Sequence, residues 1–241
     1  MKIIVTKDYN EMSCEAAKFF SEAIKNDPSC VLGLATGETP VGMYKCLIEE
    51  YKKGDLDFSK VSSVNLDEYY PLSADNDQSY RYFMNNKLFN HVNIDLANTN
   101  VPNGEAKDVE KACADYEAHI DALGGIDIQV LGIGRNGHIG FNEPDAELIP
   151  YTHLTALTPN TIEANARFFE KEEDVPKHAL TMGIKSVFKA KKIVILASGE
   201  SKAAAVKGML GNITTSCPAS LLCLHPDVTL ICDEAAYSLC K

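Results

Sequence analysis

Basic residues are scarce in this chain of 241 residues, in which 23 lysines and arginines stand against 34 aspartates and glutamates, for a formal net charge of −11. A balance this acidic excludes an overall basic nucleic-acid binder and argues against attachment to an anionic membrane surface. A small anionic substrate remains possible, provided that a local cationic pocket binds it. The composition therefore predicts no nucleic-acid partner and no membrane partner.

Long apolar runs are also lacking. No stretch of the sequence reaches the length of a membrane span, and the N-terminal residues contain no apolar segment before a cleavage site. These absences predict a soluble, cytoplasmic protein.

The cysteines lack the spacing of a metal or redox motif, since no pair is arranged as C-x-x-C. Several lie inside apolar runs, where a cysteine of a reducing compartment acts as a small buried hydrophobe. We expect this packing role, without disulfides or thiolate metal sites, for Cys14, Cys30, Cys46, Cys113, Cys217, Cys223, Cys232 and Cys240.

The order of apolar runs and amphipathic stretches predicts an α/β fold. Nearly continuous β-branched runs are typical of strands buried on both faces of a mostly parallel sheet, and the stretches between them suit helices that cover both faces. We expect strands at 3–5, 30–35, 61–66, 126–133, 192–197 and 228–232, and helices at 9–26, 40–53, 77–90, 106–123 and 201–210.

No linker or repeat divides the chain, so the doubly wound sheet is predicted to form a single domain, 1–241. The stretch 144–188 is less regular and holds Pro150, Pro159 and Pro176. We interpret it as a lid inserted in that domain rather than as a second core.

Ligands of open α/β sheets bind beyond the carboxyl ends of the strands, so the loops at these ends are the first candidates. The 30–35 run is followed by Thr36, Gly37, Glu38 and Thr39. Gly37 permits a tight turn, Thr39 suits a helix N-cap and Pro40 the first helical position. Free N–H groups at such a helix start favour a phosphate, although an ordinary strand-to-helix turn is the simpler interpretation.

Asp67 and Glu68 follow the 61–66 run. A partly desolvated carboxylate at the end of a strand can act as a general base. Taken alone, either residue is more simply interpreted as the cap of a turn.

A glycine-rich loop follows the 126–133 run, and residues 132–137 match G-x-G-x-x-G. As a dinucleotide motif this segment would have to open a helix, with an acidic residue about 20 positions on. Gly140 and Pro144 interrupt any such helix, so we reject NAD binding.

The same loop collects the polar residues Asn136, His138, Asn142 and Glu143. A lone histidine is more often structural than catalytic. A histidine with a nearby carboxylate, on a loop at the end of a strand, favours proton transfer near neutral pH.

Two cations complete the candidate site. Lys202 falls in the first turn of the predicted helix 201–210, where it opposes the helix dipole unless an anion binds there. Arg167 lies beside an apolar helical face and can clamp a phosphate through two hydrogen bonds. Taken alone, each is more simply interpreted as a surface residue than as a phosphate ligand. Together with the proton-transfer candidates they predict an enzyme that moves protons on a small phosphorylated substrate.

Five segments carry a resemblance to a known family: LGLATGETPVGMY, NLDEYY, LGIGRNGHIGFNEP, ANARFF and SGESKA. In this order and spacing they resemble the glucosamine-6-phosphate deaminase family over essentially the whole chain. The resemblance implies a doubly wound α/β fold with a lid. It also implies conversion of glucosamine 6-phosphate and water to fructose 6-phosphate and ammonia, in amino sugar catabolism, without a metal or organic cofactor.

The resemblance also implies roles for the candidate residues. Asp67 would take the C2 proton and deliver it to C1, and His138 would open the sugar ring, oriented by Glu143 and Asn136. The phosphate would lie on Thr36, Gly37, Glu38, Thr39, Arg167 and Lys202. Some family members have aspartate at the position of Asn136, so the pH dependence of ring opening is expected to differ from theirs. At the position of Glu38, family members often have a small residue.

Hexameric members that N-acetylglucosamine 6-phosphate activates carry basic residues shortly after the FNEP segment, and they have a longer C-terminal tail. Residues 145–155 of this chain contain no lysine or arginine, and the chain ends at Lys241. We therefore expect an enzyme without that control, and a monomer rather than a homo-oligomer.

Three other functions remain open. A 6-phosphogluconolactonase would need no base at C2, and a non-catalytic sugar-phosphate sensor would need no proton-transfer residues. Deamination of galactosamine 6-phosphate differs only at one hydroxyl, which the sequence does not resolve.

Overall fold

The computed structural model describes residues 1–158, 162–163, 169, 171 and 174–240. Its helices are α1 (Tyr9–Asn26), α2 (Val41–Lys52), α3 (Tyr80–Lys87), α4 (Val109–Ala122), α5 (Ile184–Phe188) and α6 (Ala203–Met209). Its strands are β1 (Lys2–Thr6), β2 (Val31–Leu34), β3 (Ser62–Asn65), β4 (Asp67–Tyr70), β5 (Thr99–Asn100), β6 (Ile128–Gly132), β7 (His153–Ala156), β8 (His178–Thr181), β9 (Lys192–Ala197) and β10 (Val228–Asp233).

Helix α1 shows how local sequence and packing agree. The carboxylate of Asp8 caps the helix by accepting the N–H groups of Asn10 and Glu11. Residues Met12, Ala16 and Phe20 recur every four positions and are fully buried, so they form the stripe that packs on the sheet.

The main sheet has seven parallel strands in the order β1-β10-β9-β6-β2-β3-β5. All of β10 and all but the first residue of β9 are buried, as expected of strands with helices packed over both faces. The α/β, doubly wound, mostly parallel fold predicted from the sequence is confirmed.

A second sheet was not predicted. Its three antiparallel strands lie in the order β4-β8-β7. Two of them, β7 and β8, come from the stretch 144–188, which is described only in part. The interpretation of that stretch as a lid, within a single domain, stays a prediction.

All eight cysteines are free thiols, but only Cys30, Cys113 and Cys232 are buried. Cys14 is exposed, and its Sγ lies 2.7 Å from that of Cys46 on the neighbouring helix α2. The expected role as buried hydrophobes is therefore right for three of the eight. No helix in the described part of the chain is long and apolar enough to cross a membrane.

Candidate active site

The site lies where the winding of the main sheet reverses. Strands β2 and β6 are neighbours, yet the chain runs outward from β2 through β3 to β5, and from β6 in the opposite direction through β9 to β10. The loops that leave the carboxyl ends of β2 and β6 therefore diverge and leave a crevice between them, the usual ligand position in open α/β sheets. These loops are residues 35–40 and 133–143.

The first loop turns at Gly37, whose φ of +88° lies in the left-handed region, as predicted for a turn glycine. The predicted cap is wrong, because α2 begins at Val41 and Pro40 is its N-cap, without a side-chain cap hydrogen bond. The physical reason is the hydrogen bond from Tyr44 N–H to the Pro40 carbonyl (3.0 Å), which makes Pro40 the residue whose carbonyl accepts the first helical bond. Thr36 and Thr39 are partly buried in this loop.

A tyrosine of α1 anchors the same loop. The Tyr9 hydroxyl donates to the backbone carbonyl of Glu38 at 2.9 Å and accepts the N–H of Gly42 at 2.8 Å. The first two amides of α2 are thus already bonded, since Val41 N–H also donates to the Glu38 carbonyl. An anion in this loop would have to use the remaining amides and the threonine hydroxyls.

The second loop contains a tight turn that presents His138. Gly137 N–H donates to the Gly134 carbonyl (3.0 Å), and Gly134 N–H donates to the His138 carbonyl (2.9 Å). A Cβ atom on Gly134 would lie 2.4 Å from the imidazole ring of His138. The ring therefore packs directly on the backbone of Gly134, and only glycine leaves room for it.

Asn136, His138 and Glu143 form a connected group. Asn136 Nδ2 donates to Oε2 of Glu143 at 2.6 Å, and the backbone N–H of His138 donates to Asn136 Oδ1 at 3.2 Å. Nδ1 of His138 lies 3.1 Å from Oε1 of Glu143, an electrostatic contact without the alignment of a straight hydrogen bond. The structure therefore brings together the three residues that the sequence selected in this loop.

Asp67 reaches the same loop from the second sheet. It is the first residue of β4, pairs with Thr181 of β8 and is 6% exposed. A Cβ atom on Gly140 would lie 3.4 Å from Asp67 Oδ2 and 3.0 Å from Thr181 Oγ1. The bare backbone of Gly140 thus lies against the carboxyl of Asp67, two residues from His138.

Burial is the main cause that raises the pKa of Asp67, and the neighbouring charge of Glu68 adds to it, bringing the pKa to about 8. Among the described residues, no hydrogen bond to the carboxyl counters these two effects on its pKa. A carboxyl held in this way takes and releases a proton near neutral pH.

Glu68 has a different environment, although it is adjacent and also buried. Burial raises its pKa as well, but backbone hydrogen bonds counter that rise. Its carboxylate accepts the backbone N–H groups of Tyr69 (2.9 Å), Tyr80 (2.8 Å) and Arg81 (2.9 Å) and so caps the start of α3. The interpretation as a cap is right for Glu68, which leaves Asp67 as the candidate base.

Lys202 lies at the crevice from the side of β9. Its Nζ donates to the carbonyl of Ile133 at 2.7 Å, and burial together with the charge of Arg135 lowers its pKa. Lys202 ends a short 3₁₀ turn and precedes α6, so it lies one residue before the helix rather than in its first turn. Arg167 lies outside the described residues.

The sequence did not single out three residues that fix these loops. Asn142 was noted only as polar, yet its buried amide donates to the carbonyls of Ile139 (2.9 Å) and Met182 (2.8 Å). Thr181 Oγ1 accepts the N–H of Phe141 at 3.2 Å. Asp233 accepts the Ser198 hydroxyl at 2.5 Å and orders the loop before Lys202.

Of these three, only Asp233 had a detectable sequence signal, because a carboxylate at the carboxyl end of a buried strand is the pattern that selected Asp67. Among the residues that the structure describes, no group of three or more histidines, cysteines, aspartates and glutamates is placed to hold a metal ion.

Known proteins similar to this chain share its fold. Residues 9–231 match the family model for glucosamine-6-phosphate isomerases/6-phosphogluconolactonase. A glucosamine-6-phosphate deaminase of Clostridium perfringens is 61% identical over 242 residues, covering 100% of both chains. One of Clostridioides difficile is 58% identical over 239 residues, covering 99% of this chain and 96% of the relative.

Solved structures of similar proteins match this chain over nearly its whole length. A monomeric glucosamine-6-phosphate deaminase matches with a TM-score of 0.96 at 48% identity, over 99% of this chain and 100% of that one. A 6-phosphogluconolactonase from Trypanosoma cruzi matches with a TM-score of 0.79 at 21% identity, over 98% and 96% of the two chains, and supports the fold alone. The chain belongs to the family of glucosamine-6-phosphate isomerases and 6-phosphogluconolactonases.

Proposed function

We propose that this chain is a glucosamine-6-phosphate deaminase, which converts glucosamine 6-phosphate and water to fructose 6-phosphate and ammonia. One observation carries the proposal: the desolvated carboxyl of Asp67 lies against the loop that holds His138 and Glu143. The relatives that are 58–61% identical over the whole chain carry the same activity in their names. In the route below, the side chains of the protein transfer protons, and water and ammonia are the only other reactant and product beside the sugar.

Asp67 is the proposed carbon base. It takes the C2 proton of the open-chain sugar and delivers it to C1, which leaves an imine at C2. Water adds to that imine, ammonia leaves, and the C2 carbonyl of the ketose remains. The substrate also explains how a carboxyl with a raised pKa becomes a base, because an ammonium group at C2 beside Asp67 favours the ionised form.

His138 is the proposed acid and base of ring opening, passing a proton between the C1 hydroxyl and the ring oxygen. Glu143 is placed to orient the imidazole, since its Oε1 lies 3.1 Å from Nδ1. Asn136 donates to the other oxygen of Glu143 and so orients the carboxylate without adding charge.

The phosphate is proposed to lie between the 35–40 loop and Lys202. Hydroxyl and backbone N–H donors for it come from Thr36, Gly37, Glu38 and Thr39. The side chain of Glu38 is exposed to solvent. Lys202 supplies charge, and Arg167 is proposed as a further ligand on the basis of its sequence motif.

We also propose a monomeric, cytoplasmic enzyme that N-acetylglucosamine 6-phosphate does not activate. The relative with a TM-score of 0.96 is a monomeric deaminase, all eight thiols are free, and residues 145–155 contain no lysine or arginine. A sigmoidal rate curve that added N-acetylglucosamine 6-phosphate makes hyperbolic would contradict the lack of this control.

Ammonia release from glucosamine 6-phosphate tests the function. The wild type should release ammonia stoichiometrically with fructose 6-phosphate, and Asp67→Asn should lose about 10²–10⁴-fold in kcat, the usual range for a general base. His138→Gln should slow the reaction of the ring-closed substrate. A wild type that releases no ammonia would refute the proposal.

Two other substrates serve as comparisons in the same assay. Galactosamine 6-phosphate reports the preference at the sugar epimer, and a 6-phosphogluconolactone tests the hydrolase activity of the distant structural relatives. Asp67→Asn should slow deamination by this factor and leave any lactone hydrolysis intact, because hydrolysis needs no carbon base.

A further inference from the structure

We propose that Arg135 is a second cation of the phosphate site, which attracts the substrate phosphate toward Lys202 and strengthens its binding. This proposal rests on the proposed function and adds to it a residue to which the family resemblance gives no role.

The backbone places Arg135 beside Lys202. Arg135 is the second residue of the turn that Gly137 N–H closes onto the Gly134 carbonyl, so its side chain projects from the tip of that turn into solvent. Lys202 Nζ donates to the carbonyl of Ile133, only two residues before Arg135. The turn is held rigidly, because His138 and Asn136 bond within it.

No ion pair with a residue that the structure describes neutralises these two positive charges. Neither Arg135 nor Lys202 forms an ion pair within the described residues, whereas Lys111, Lys189 and Lys191 each contact an aspartate. The charge of Arg135 also contributes to lowering the pKa of Lys202. Two neighbouring cations repel one another. Acidic residues are abundant in a protein with a net charge of −11, so two cations without an acidic partner suit a site for an anionic ligand.

An anion between them removes this repulsion. The ligand chemistry that fits is a phosphate monoester dianion, which the proposed substrate carries. Because the protein as a whole repels anions, a local cationic pair at the crevice determines how often the phosphate reaches it, and this attraction is screened by salt. Lys202 is half-buried and Arg135 is exposed, so Arg135 is the charge that an approaching phosphate meets first.

The test compares Arg135→Gln and Arg135→Lys with the wild type by ammonia release at low and high ionic strength. The control is Lys53→Gln, which removes the same charge at the far end of α2, away from the 35–40 loop. At roughly 20 mM salt, Arg135→Gln should lower kcat/KM by about 3–10-fold, mainly through KM, as expected for one exposed charge acting on a dianion. At roughly 500 mM salt the loss should shrink to about twofold or less.

Arg135→Lys should keep most of the wild-type kcat/KM, and Lys53→Gln should match the wild type at both salt concentrations. A loss in Arg135→Gln that does not change with salt, or an equal loss in Arg135→Lys, would show a structural role of the arginine in the turn and overturn the proposal. So would a value for Arg135→Gln equal to that of the wild type at low salt.

Inorganic phosphate provides a readout that does not depend on the reaction. Its dissociation constant, measured by calorimetry, should rise about 3–10-fold in Arg135→Gln at low salt and stay unchanged in Lys53→Gln. If the wild type binds phosphate but releases no ammonia, the proposed function fails while the inference about Arg135 stands on this measurement. If phosphate binds equally to wild type and Arg135→Gln, the inference fails whatever the reaction is.

Discussion

Replacing Asp67 with asparagine should stabilise the folded protein, and the gain should be larger at pH 7 than at pH 5. In the folded protein the pKa of this carboxyl is about 8, because it is buried beside Glu68, whereas in an unfolded chain an aspartate titrates near ~3.9. The folded state therefore binds the proton more tightly. Between these two pKa values the unfolded chain has already lost its proton, so the free energy of unfolding falls as pH rises.

The size of the effect follows from the two pKa values. Each pH unit within this window lowers the free energy of unfolding by about 1.4 kcal/mol, which gives roughly 1.5 kcal/mol at pH 5 and roughly 4 kcal/mol at pH 7. The substituted asparagine does not titrate, so its packing and hydrogen bonding add only an offset that is the same at both pH values. The stabilisation by Asp67→Asn should thus be about 2.5 kcal/mol greater at pH 7 than at pH 5.

Urea unfolding of both proteins at the two pH values measures this difference, and the titrating groups that do not interact with Asp67 cancel between them. Asp57→Asn is the matched control. Hydrogen bonds from Ser59 and Asn93 lower the pKa of Asp57, so this residue is ionised in both states throughout the window and its substitution should act equally at pH 5 and pH 7. A change below about 0.5 kcal/mol for Asp67→Asn would show that the carboxyl is not desolvated, and would remove the physical basis for its role as base.

Three further predictions concern the reaction. Since Asp67 must be ionised to act as a base, kcat/KM should rise with pH through about 8 and then level off, and a profile that is flat between roughly pH 6 and 9 would contradict this. Gly134→Ala should lower kcat by at least about 10-fold while changing the dissociation constant of inorganic phosphate little, because the added Cβ would lie 2.4 Å from the His138 ring; unchanged kcat would mean that the ring position is not critical. Asn136→Asp replaces the donor 2.6 Å from Glu143 with a second carboxylate, so the pair of carboxylates should bind a proton more tightly. The pH profile of ring opening, measured as the rate at which the sugar anomers exchange, should therefore shift to higher pH. Asn136→Ser can still donate a hydrogen bond and should keep the wild-type profile.

Much of the fold could be predicted because its signals are local. The 18 residues of α1 and the six residues of β9 lie where the periodicity of the sequence places them. Strand β4 was missed, since Asp67–Tyr70 contains two charged residues and follows a buried strand closely. It is a strand only because it pairs with β8, more than a hundred residues further along the chain.

The candidate site was predictable to the same extent. The glycine-rich loop after β6 and its histidine with a nearby carboxylate are visible in the sequence, and the structure joins Asn136, His138 and Glu143 by contacts within eight residues. The start of α2 was predicted one residue too early, because a threonine before proline is a good cap by composition. Which carbonyl accepts the first helical bond depends on the path of the loop that Tyr9 anchors.

The sequence by itself determined the alternation of strands and helices, the turn glycines and the set of residues able to move protons, since these depend on periodicity, backbone freedom and side-chain chemistry. The resemblance selected Asp67 as the proposed base, but only the tertiary structure shows how its environment differs from that of Glu68. The two carboxylates are adjacent in sequence and both buried, but the N-terminus of α3 supplies N–H donors to Glu68 and leaves Asp67 against the backbone of Gly140. Burial raises the pKa of both carboxyls, and only Glu68 receives backbone hydrogen bonds that counter the rise. Both effects arise from segments that meet only when the chain is folded.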